Sequence, residues 1–195
     1  MADRSTEIVE ATCRVIARLG MHDFRVEDVA IEIGVSPALV YYYFNTRDQL
    51  IRKAFEFADA RSSVNTASAD EASGAEQVRL ALLNEVNGSV ATRENWIIWG
   101  ETAAAAVFDE DLRTSLTAWA DNWVGQIADL VRRGQKDRSI GADLDAEEAS
   151  EFLTSVVDSM GWRWLIGGIT LERAREIIER SVNLVLQLPP GDAMR

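Results

Sequence analysis

The stretch GVSPALVYYYFNTRDQL, residues 34–50, decides the fold of this 195-residue chain. Gly34 is able to take the left-handed backbone conformation that closes a helix, and Ser36 followed by Pro37 is a favourable start for the next one. Thr46 and Gln49 then have the spacing of a capping box. The helix between these caps is only about two turns long, which is typical of the element that a helix-turn-helix places in the DNA groove.

The flanking sequence predicts the other helices of such a unit. In residues 5–19 apolar side chains recur at three- and four-residue spacing, and Gly20 follows as a C-cap. A shorter pattern in residues 24–33 predicts the supporting helix that Gly34 closes. The apolar pattern then continues through residues 50–61, so a fourth helix is predicted to end near Arg61.

A helical wheel divides the short helix into a buried and an exposed side. Val40 and Phe44 turn inward, whereas Ala38 and Tyr42 point away from the core. None of the outward or flanking side chains is Arg, Lys, Asn or Gln, so thymine methyls, tyrosine hydroxyls and DNA shape are expected to carry recognition. The flanking positions are Pro37, Leu39, Tyr41 and Tyr43. Partly exposed packing of the tyrosines against the first helix is the alternative.

These residues resemble the tetracycline-repressor (TetR) family of bacterial transcription regulators over roughly residues 4–55. The family pattern of a small residue, a Tyr and a Phe before a Lys-containing cap is similar to Val40, Tyr41 and Phe44 here. Arg47 occupies the Lys position. The resemblance implies an N-terminal DNA-binding domain, a ligand-responsive C-terminal domain and a homodimer.

The chain departs from the family pattern at the second helix. Arg25 stands where Thr or Ser usually caps this helix, and Glu27 stands where a basic or polar residue is common. The resemblance further implies that Tyr41 and Tyr43 contact phosphates or sugars and that Arg47 binds a phosphate. The candidate DNA-binding residues are therefore Arg25, Ser36, Pro37, Ala38, Leu39, Tyr41, Tyr42, Tyr43 and Arg47.

The net charge of −12 opposes attraction to DNA on average. The first 62 residues hold eight Lys and Arg against ten Asp and Glu, and the other residues carry a net −10. Screening limits the reach of exposed charges to about 10 Å at 0.1 M salt, so the local distribution matters more. Around the short helix, Arg47, Arg52 and Lys53 stand against Asp48, and the contact surface is therefore expected to be locally positive.

The rest of the chain predicts further helices and no strand. A stretch rich in Ser, Ala and Asp, SSVNTASADEASGAE at residues 62–76, is predicted to be a linker. Boundary signals, including Asp109, Asp145, Thr170, Pro189 and Pro190, place helices at about 74–88, 91–107, 109–134, 145–167 and 170–188. The predicted fold is all-α, with a three-helix helix-turn-helix domain in residues 1–50 and a helical ligand-binding and dimerisation domain in residues 51–195.

Two apolar stripes in the last two predicted helices favour a homodimer. They run through residues 149–164 and 171–186, and a four-helix bundle made with a second copy would cover them. Packing of both stripes inside one monomer is the alternative. The candidate interface residues are Phe152, Val156, Met160, Trp164, Ile178, Val182 and Val185. A dimer would present two DNA-binding domains about one DNA turn or more apart, which predicts a palindromic operator.

Four of the six tryptophans occur as two pairs, Trp96 with Trp99 and Trp119 with Trp123. Each pair shares one helix face, and converging faces would line an apolar pocket that favours a polar or cationic effector. Core packing is the ordinary alternative. The candidate ligand-binding residues are Trp96, Trp99, Phe108, Trp119, Asn122 and Trp123, with Glu85, Glu94, Glu101 and Asp121 as nearby carboxylates. Residues 95–140 most resemble the branch of choline-sensing and multidrug-efflux repressors, whose ligands differ too much to select one.

Catalysis and membrane insertion are not expected. The chain has one His (His22), one Cys (Cys13), no paired metal-ligand spacing and no phosphate-binding glycine loop, so no enzyme, metal or cofactor is predicted. Cys13 lies inside the first helix and is expected to be buried and inert. No apolar run reaches the roughly 20 residues of a membrane span, and the N-terminus lacks a signal-peptide core, which predicts a cytoplasmic location.

The sequence thus predicts a sequence-specific DNA-binding regulator, a ligand-responsive repressor that acts as a homodimer on double-stranded operator DNA. A dimeric helical scaffold or small-molecule binder without DNA affinity is the alternative, suggested by the overall acidity and by Glu27.

Overall fold

The computed structural model describes residues 3–64 and 72–188, and within those ranges all regular secondary structure is helical. The helices are α1 (Arg4–Asp23), α2 (Val26–Glu32), α3 (Pro37–Tyr43), α4 (Arg47–Val64), α5 (Gly74–Asn84), α6 (Val90–Ala106), α7 (Glu110–Asp137), α8 (Ala146–Leu165) and α9 (Leu171–Val185). The all-α prediction is confirmed. Residues 65–71 of the predicted linker, together with Pro189 and Pro190, lie outside the described residues, while residues 62–64 and 74–76 belong to α4 and α5.

The helices divide into two compact units. The first contains residues up to 63 and 89–116, which are α1 to α4, α6 and the start of α7. Among the described residues, the second contains 64, 72–88 and 117–188, which hold α5, the rest of α7, α8 and α9. The first unit is larger than the DNA-binding domain predicted for residues 1–50, because α4 and α6 pack with its three helices.

Helix α1 forms the centre of the first unit. Its apolar stripe is buried from Ile8 to Ile16, whereas Leu19 is exposed, and its regular part ends at the predicted C-cap Gly20, whose φ is 77°. One further turn, Met21–Asp23, follows this break. The Cys13 thiol is buried and donates a hydrogen bond to the carbonyl oxygen of Ala54 at 3.4 Å. Burial raises the pKa of Cys13 to about 12, so this thiol stays protonated and unreactive.

The second unit is built around the end of α7 and the α8–α9 pair. The backbone N–H of Gly74, at the start of α5, donates to the Asp137 carboxylate at 2.7 Å, and that of Ala75 donates to the Ser139 hydroxyl at 3.0 Å. Helices α8 and α9 pack together across the short connection at residues 166–170 and are therefore antiparallel. The predicted N-caps Asp145 and Thr170 both accept backbone hydrogen bonds.

No helix in the described part of the chain is a candidate membrane span. Across residues 3–64 and 72–188, each helix is too short or too polar to span a bilayer.

Candidate nucleic-acid interface

Local capping defines the start of α3. Gly34 has a φ of 68° and ends α2, and the Ser36 hydroxyl accepts a hydrogen bond from the backbone N–H of Leu39 at 3.3 Å. Pro37 occupies the first helical position, where a missing N–H costs nothing. The predicted start of the short helix is confirmed, and the helix has seven residues.

Helix α3 is buried on one side and open on the other. Val40 and the adjoining Phe44 are buried, and they fix the helix against the unit. On the opposite side Ala38 is exposed and 79% of Tyr42 is accessible, while Tyr41 and Tyr43 are exposed on the flanks. The predicted outward face therefore points away from the protein's own core. Its groups are a methyl, aromatic rings and phenol hydroxyls.

The start of α4 carries the predicted capping pair. The Thr46 hydroxyl accepts from the backbone N–H of Gln49 at 3.1 Å, and the Gln49 side-chain oxygen accepts from the N–H of Asn45 at 2.9 Å. Two backbone donors at the α3–α4 turn are satisfied in this way by side chains of the turn itself.

Arg47 is used inside the unit. Its Nε donates to the carbonyl oxygen of Phe24 at 3.3 Å, its Nη2 donates to that of Met21, and its guanidinium lies 5.4 Å from the centre of the Phe24 ring. The side chain therefore ties the start of α4 to the turn between α1 and α2. Nη1 is the remaining donor group for a phosphate, and it lies 3.9 Å from the Asp48 carboxylate.

Arg25 and Glu27 are both exposed at the start of α2. The Arg25 backbone N–H donates to the Asp28 carboxylate at 3.1 Å, so Asp28 supplies half of a capping box although Arg25 has no acceptor of its own. The Arg25 side chain makes no hydrogen bond or ion pair with another described residue. Sequence reasoning did not single out Ile31, an apolar side chain of α2 that is almost fully exposed.

The expected local positive charge is largely neutralised by ion pairs, which corrects the sequence-based estimate. Arg52 lies 3.5 Å from the Asp111 carboxylate at the start of α7, and Lys53 pairs with Glu56 one turn further along α4. Together with the inward bonds of Arg47, these pairs occupy each of the three cations that were expected to face DNA. Asp111 is distant in sequence, so its role was not visible from local composition.

The candidate ligand residues fall in both units. In the first unit Trp96 is buried, Trp99 packs on Phe55 with ring centres 5.1 Å apart, and Phe108 is 91% exposed. In the second unit Trp119 and Trp123 are half-buried and Asn122 is exposed. Convergence of the two tryptophan pairs stays a prediction.

Two of the carboxylates proposed to orient a ligand already have protein partners. Glu94 pairs with Arg61 at 3.3 Å, and Glu101 accepts the backbone N–H of Met21 at 2.8 Å, just after the break in α1. Both bonds join α6 to other helices of the first unit. Their structural role explains these carboxylates without a ligand.

Burial within the protomer changes the set of residues left for a dimer face. Four of the seven candidates are buried inside the second unit and offer a partner little surface: Met160, Trp164, Ile178 and Val182. Phe152 is exposed, and Val156 and Val185 are half-buried. The exposed apolar surface of α8, α9 and their connection also includes Trp162, Ile166 and Leu184.

An all-helical chain whose N-terminal part presents a capped, exposed two-turn helix behind a supporting helix is a helix-turn-helix DNA-binding protein. Residues 8–54 match the family model for bacterial regulatory proteins of the tetR family. Residues 74–187 match the model for the C-terminal domain of BetI-type transcriptional repressors. The chain therefore belongs to the TetR family, with a C-terminal domain of the BetI type.

Individual relatives agree with this assignment. The HTH-type transcriptional regulator BetI of Brucella suis biovar 1 is 28% identical over 141 residues, which cover 69% of this chain and 71% of the relative. A TetR-family transcriptional regulator from Rhodococcus sp., described as putative in its crystal structure, has a TM-score of 0.84 and 31% identity, covering 95% of this chain and 100% of that one.

A regulator from Saccharomonospora viridis, solved in complex with choline, shares the fold with a TM-score of 0.78 and 24% identity, over 94% of this chain and 97% of that one. The protein is thus a DNA-binding, ligand-responsive transcriptional regulator that functions as a homodimer. The comparisons give no support to a scaffold without DNA affinity.

Proposed function

We propose that this regulator recognises a palindromic operator mainly through the apolar and phenolic face of α3. Ala38, Leu39 and Tyr42 would contact thymine methyls, because α3 offers no side chain that forms a bidentate pair with guanine or adenine. The observation that carries the proposal is the exposure of Tyr42 opposite a buried Val40. This arrangement leaves the reading face free for a DNA groove.

Around this face the other candidate residues would bind the DNA backbone. The hydroxyl groups of Tyr41 and Tyr43 lie on the flanks of α3, and the start of α3 brings Ser36 and Pro37 to the same surface. Arg25 and the Nη1 group of Arg47, which lies 3.9 Å from the Asp48 carboxylate, supply positive charge. These contacts position the helix, whereas the outward face of α3 supplies the sequence preference.

Thymine methyl recognition is tested directly by replacing thymine with deoxyuracil. We would select duplexes from a random pool with the wild-type protein and then remove one methyl group at a time from the half-site. Each contacted methyl should cost about 1 kcal/mol, roughly a fivefold loss of affinity, without changing any hydrogen bond. Unchanged affinity for all the deoxyuracil duplexes would exclude methyl readout.

Two variants of Tyr42 distinguish the contribution of its aromatic ring from that of its hydroxyl group. Tyr42→Phe keeps the apolar surface, so it should retain the deoxyuracil sensitivity, whereas Tyr42→Ala should lose it at one position. Selection of half-sites that contain only guanine-specific positions would contradict the proposal.

The homodimer would use the exposed side of α8 and α9, with Phe152, Val156 and Val185 at its centre. In the proposed regulatory cycle a small molecule binds the helical C-terminal part and changes the spacing of the two DNA-binding domains. This requires the ligand to bind one spacing more tightly than the other. The chain would act as a repressor in the cytoplasm, by binding alone and without catalysis.

We propose that an indole face among the candidate tryptophans takes part in binding the effector, since indole faces attract cations. Choline and its neutral isostere 3,3-dimethylbutan-1-ol test this by differing only in charge. If the site recognises a cation, choline should release the operator and quench tryptophan fluorescence at lower concentration than the alcohol. Equal effects of both compounds would exclude a cation-selective site.

A further inference from the structure

We propose that this protein holds its operator with very few ionic contacts, and that Arg25 is the main cation that reaches a DNA phosphate. The inference deepens the proposed function and rests on it. It concerns how the protein contacts the DNA phosphates. Neutral hydrogen-bond donors would make most of these contacts, and each DNA-binding domain of the dimer would add one guanidinium.

The first observation is how the cations near α3 are used. Arg52 and Lys53 each have a carboxylate partner on the same unit, Asp111 and Glu56. Arg47 gives two of its donor groups to main-chain carbonyl oxygens and lies next to Asp48. The cations of α4 that flank the reading helix therefore bring little uncompensated charge to its surface.

The remaining cations of the first 62 residues also bind groups of the same unit, except Arg25, although two of them share one carboxylate. Arg14 and Arg18 both bind the Glu32 carboxylate, at 3.2 and 3.0 Å, and these arginines lower the pKa of Glu32. Arg4 pairs with Glu7, and Arg61 is enclosed by α6 groups that include Glu94. Among the cations that the structure describes in residues 3–64, Arg25 alone makes no ion pair or hydrogen bond through its guanidinium.

An ion pair contributes little to counterion release even when it opens. A guanidinium that leaves its carboxylate to bind a phosphate also leaves that carboxylate beside the DNA, so the net charge brought to the duplex is unchanged. Exposed Glu27 and Asp48 add further negative charge near the reading helix. Only a cation without an acidic partner releases counterions in full.

Arg25 meets this condition and lies where contact is expected. It immediately precedes α2, the first helix of the helix-turn-helix, which in this motif crosses the DNA backbone. Its side chain is exposed and takes no part in capping α2. The guanidinium is therefore available to a phosphate at no cost to the fold.

The expected salt dependence follows from the number of contacts. One full ionic contact per DNA-binding domain gives about two per dimer, and the slope of log affinity against log salt should be about −2, and not steeper than about −4 if Arg47 contributes. Between roughly 50 and 200 mM salt the affinity should fall about 16-fold at a slope of −2. A protein with six to ten phosphate contacts loses about 10³–10⁵-fold over this range.

The experiment measures this slope by fluorescence anisotropy with the full chain and a labelled duplex obtained by selection from a random pool. Arg25→Ala should make the slope shallower by about two units per dimer, and Arg25→Lys should restore it, because the charge alone is at issue. Arg18→Ala is the matched control. It also removes an exposed arginine, but the Arg18 guanidinium already binds the Glu32 carboxylate and is not expected to contact a phosphate, so the slope should not change.

Each outcome decides a separate point. Selective binding with a wild-type slope of about −6 or steeper would overturn the inference and leave the proposed function standing. An unchanged slope in Arg25→Ala, or a shallower slope in Arg18→Ala, would overturn the assignment to Arg25. Absence of selective binding at the lowest salt concentration would overturn the proposed function together with the inference.

Discussion

At the scale of single residues, Arg47 shows that a cation beside the reading helix can serve the fold before it serves DNA. Its guanidinium donates to the carbonyl groups of Met21, in the last turn of α1, and of Phe24, which follows α1. The sequence placed a positive charge at the start of α4 and implied a phosphate contact there. The Arg47 donor groups point inward because their acceptors are carbonyl oxygens more than 20 residues earlier in the chain.

Arg47→Ala should lower the free energy of unfolding by about 1–3 kcal/mol, because it removes two charge-assisted hydrogen bonds and leaves two carbonyl oxygens unpaired. Chemical denaturation followed by circular dichroism measures the change. Arg25→Ala is the control, since its guanidinium has no protein partner, and it should unfold like the wild type. Equal stability of Arg47→Ala and wild type would show that the two Arg47 hydrogen bonds do not stabilise the first unit.

Glu32 provides a prediction for pH dependence. Hydrogen bonds from Arg18 and then Arg14 hold the pKa of this carboxyl below its usual range. A folded-state pKa below the unfolded value stabilises the protein above the unfolded pKa, about 4.3 for Glu, and this contribution is lost as pH falls through the lower folded value.

The variant Glu32→Gln should therefore be less stable than wild type at neutral pH, and the difference should shrink as pH falls below about 4.3. Urea unfolding of both proteins at several pH values gives the comparison. A stability difference that stays constant through this range would rule out the ion pairs as its cause.

At the scale of secondary-structure elements, helix caps could be predicted from the local sequence, whereas close contacts between helices could not. The start of α3 is set within a few residues by Gly34, Ser36 and Pro37, so it was predictable from the sequence. The start of α5 depends instead on the end of α7. A Cβ on Gly74 would lie 2.1 Å from the backbone nitrogen of Gly134, so the two backbones meet at a distance that only glycine permits.

Gly74→Ala should destabilise the protein by about 3 kcal/mol, since the added methyl meets main-chain atoms that cannot move aside. Gly134→Ala should cost clearly less. Its methyl mainly meets the flexible end of the Ile140 side chain, 2.5 Å away, and alanine favours the helix by about 1 kcal/mol over glycine. Thermal unfolding of both variants measures this order, and the reverse order would contradict the backbone contact.

At the scale of the whole molecule, the exposed apolar side chains of α8 and α9 indicate how two copies associate. Phe152 lies near the start of α8 and Leu184 near the end of α9, and antiparallel packing brings these ends together. They are 55% and 69% exposed, more than a single chain needs to leave uncovered. A second copy that pairs these helices would cover both.

The double variant Phe152→Asp with Leu184→Asp should therefore be monomeric in sedimentation velocity experiments while keeping its helical content, because four charges would be buried in a dimer. Its operator affinity should fall as well, since two linked DNA-binding domains bind a palindrome more tightly than one. Val90→Asp is the control, an equally drastic change at an exposed apolar position of α6. A dimeric double variant would exclude this interface.

The sequence alone determined the helical fold and the reading face of α3. Caps, glycine positions and apolar periodicity act over a few residues, and α3 turns Val40 inward and Tyr42 outward as its periodicity requires. The same periodicity found the stripes of α8 and α9, although it did not distinguish the side that packs inside the protomer from the side left for a partner.

Tertiary structure decided which charges and surfaces remain available. The partner of Arg52 is Asp111, Glu101 is held by Met21, and Met160 is buried by its own unit. Such contacts join residues far apart in the chain. Their contribution to the free energy of folding depends on distances between side chains that a local sequence pattern does not contain. Composition therefore gave the number of charges near the operator, whereas only the folded chain determined how many of them are free to meet it.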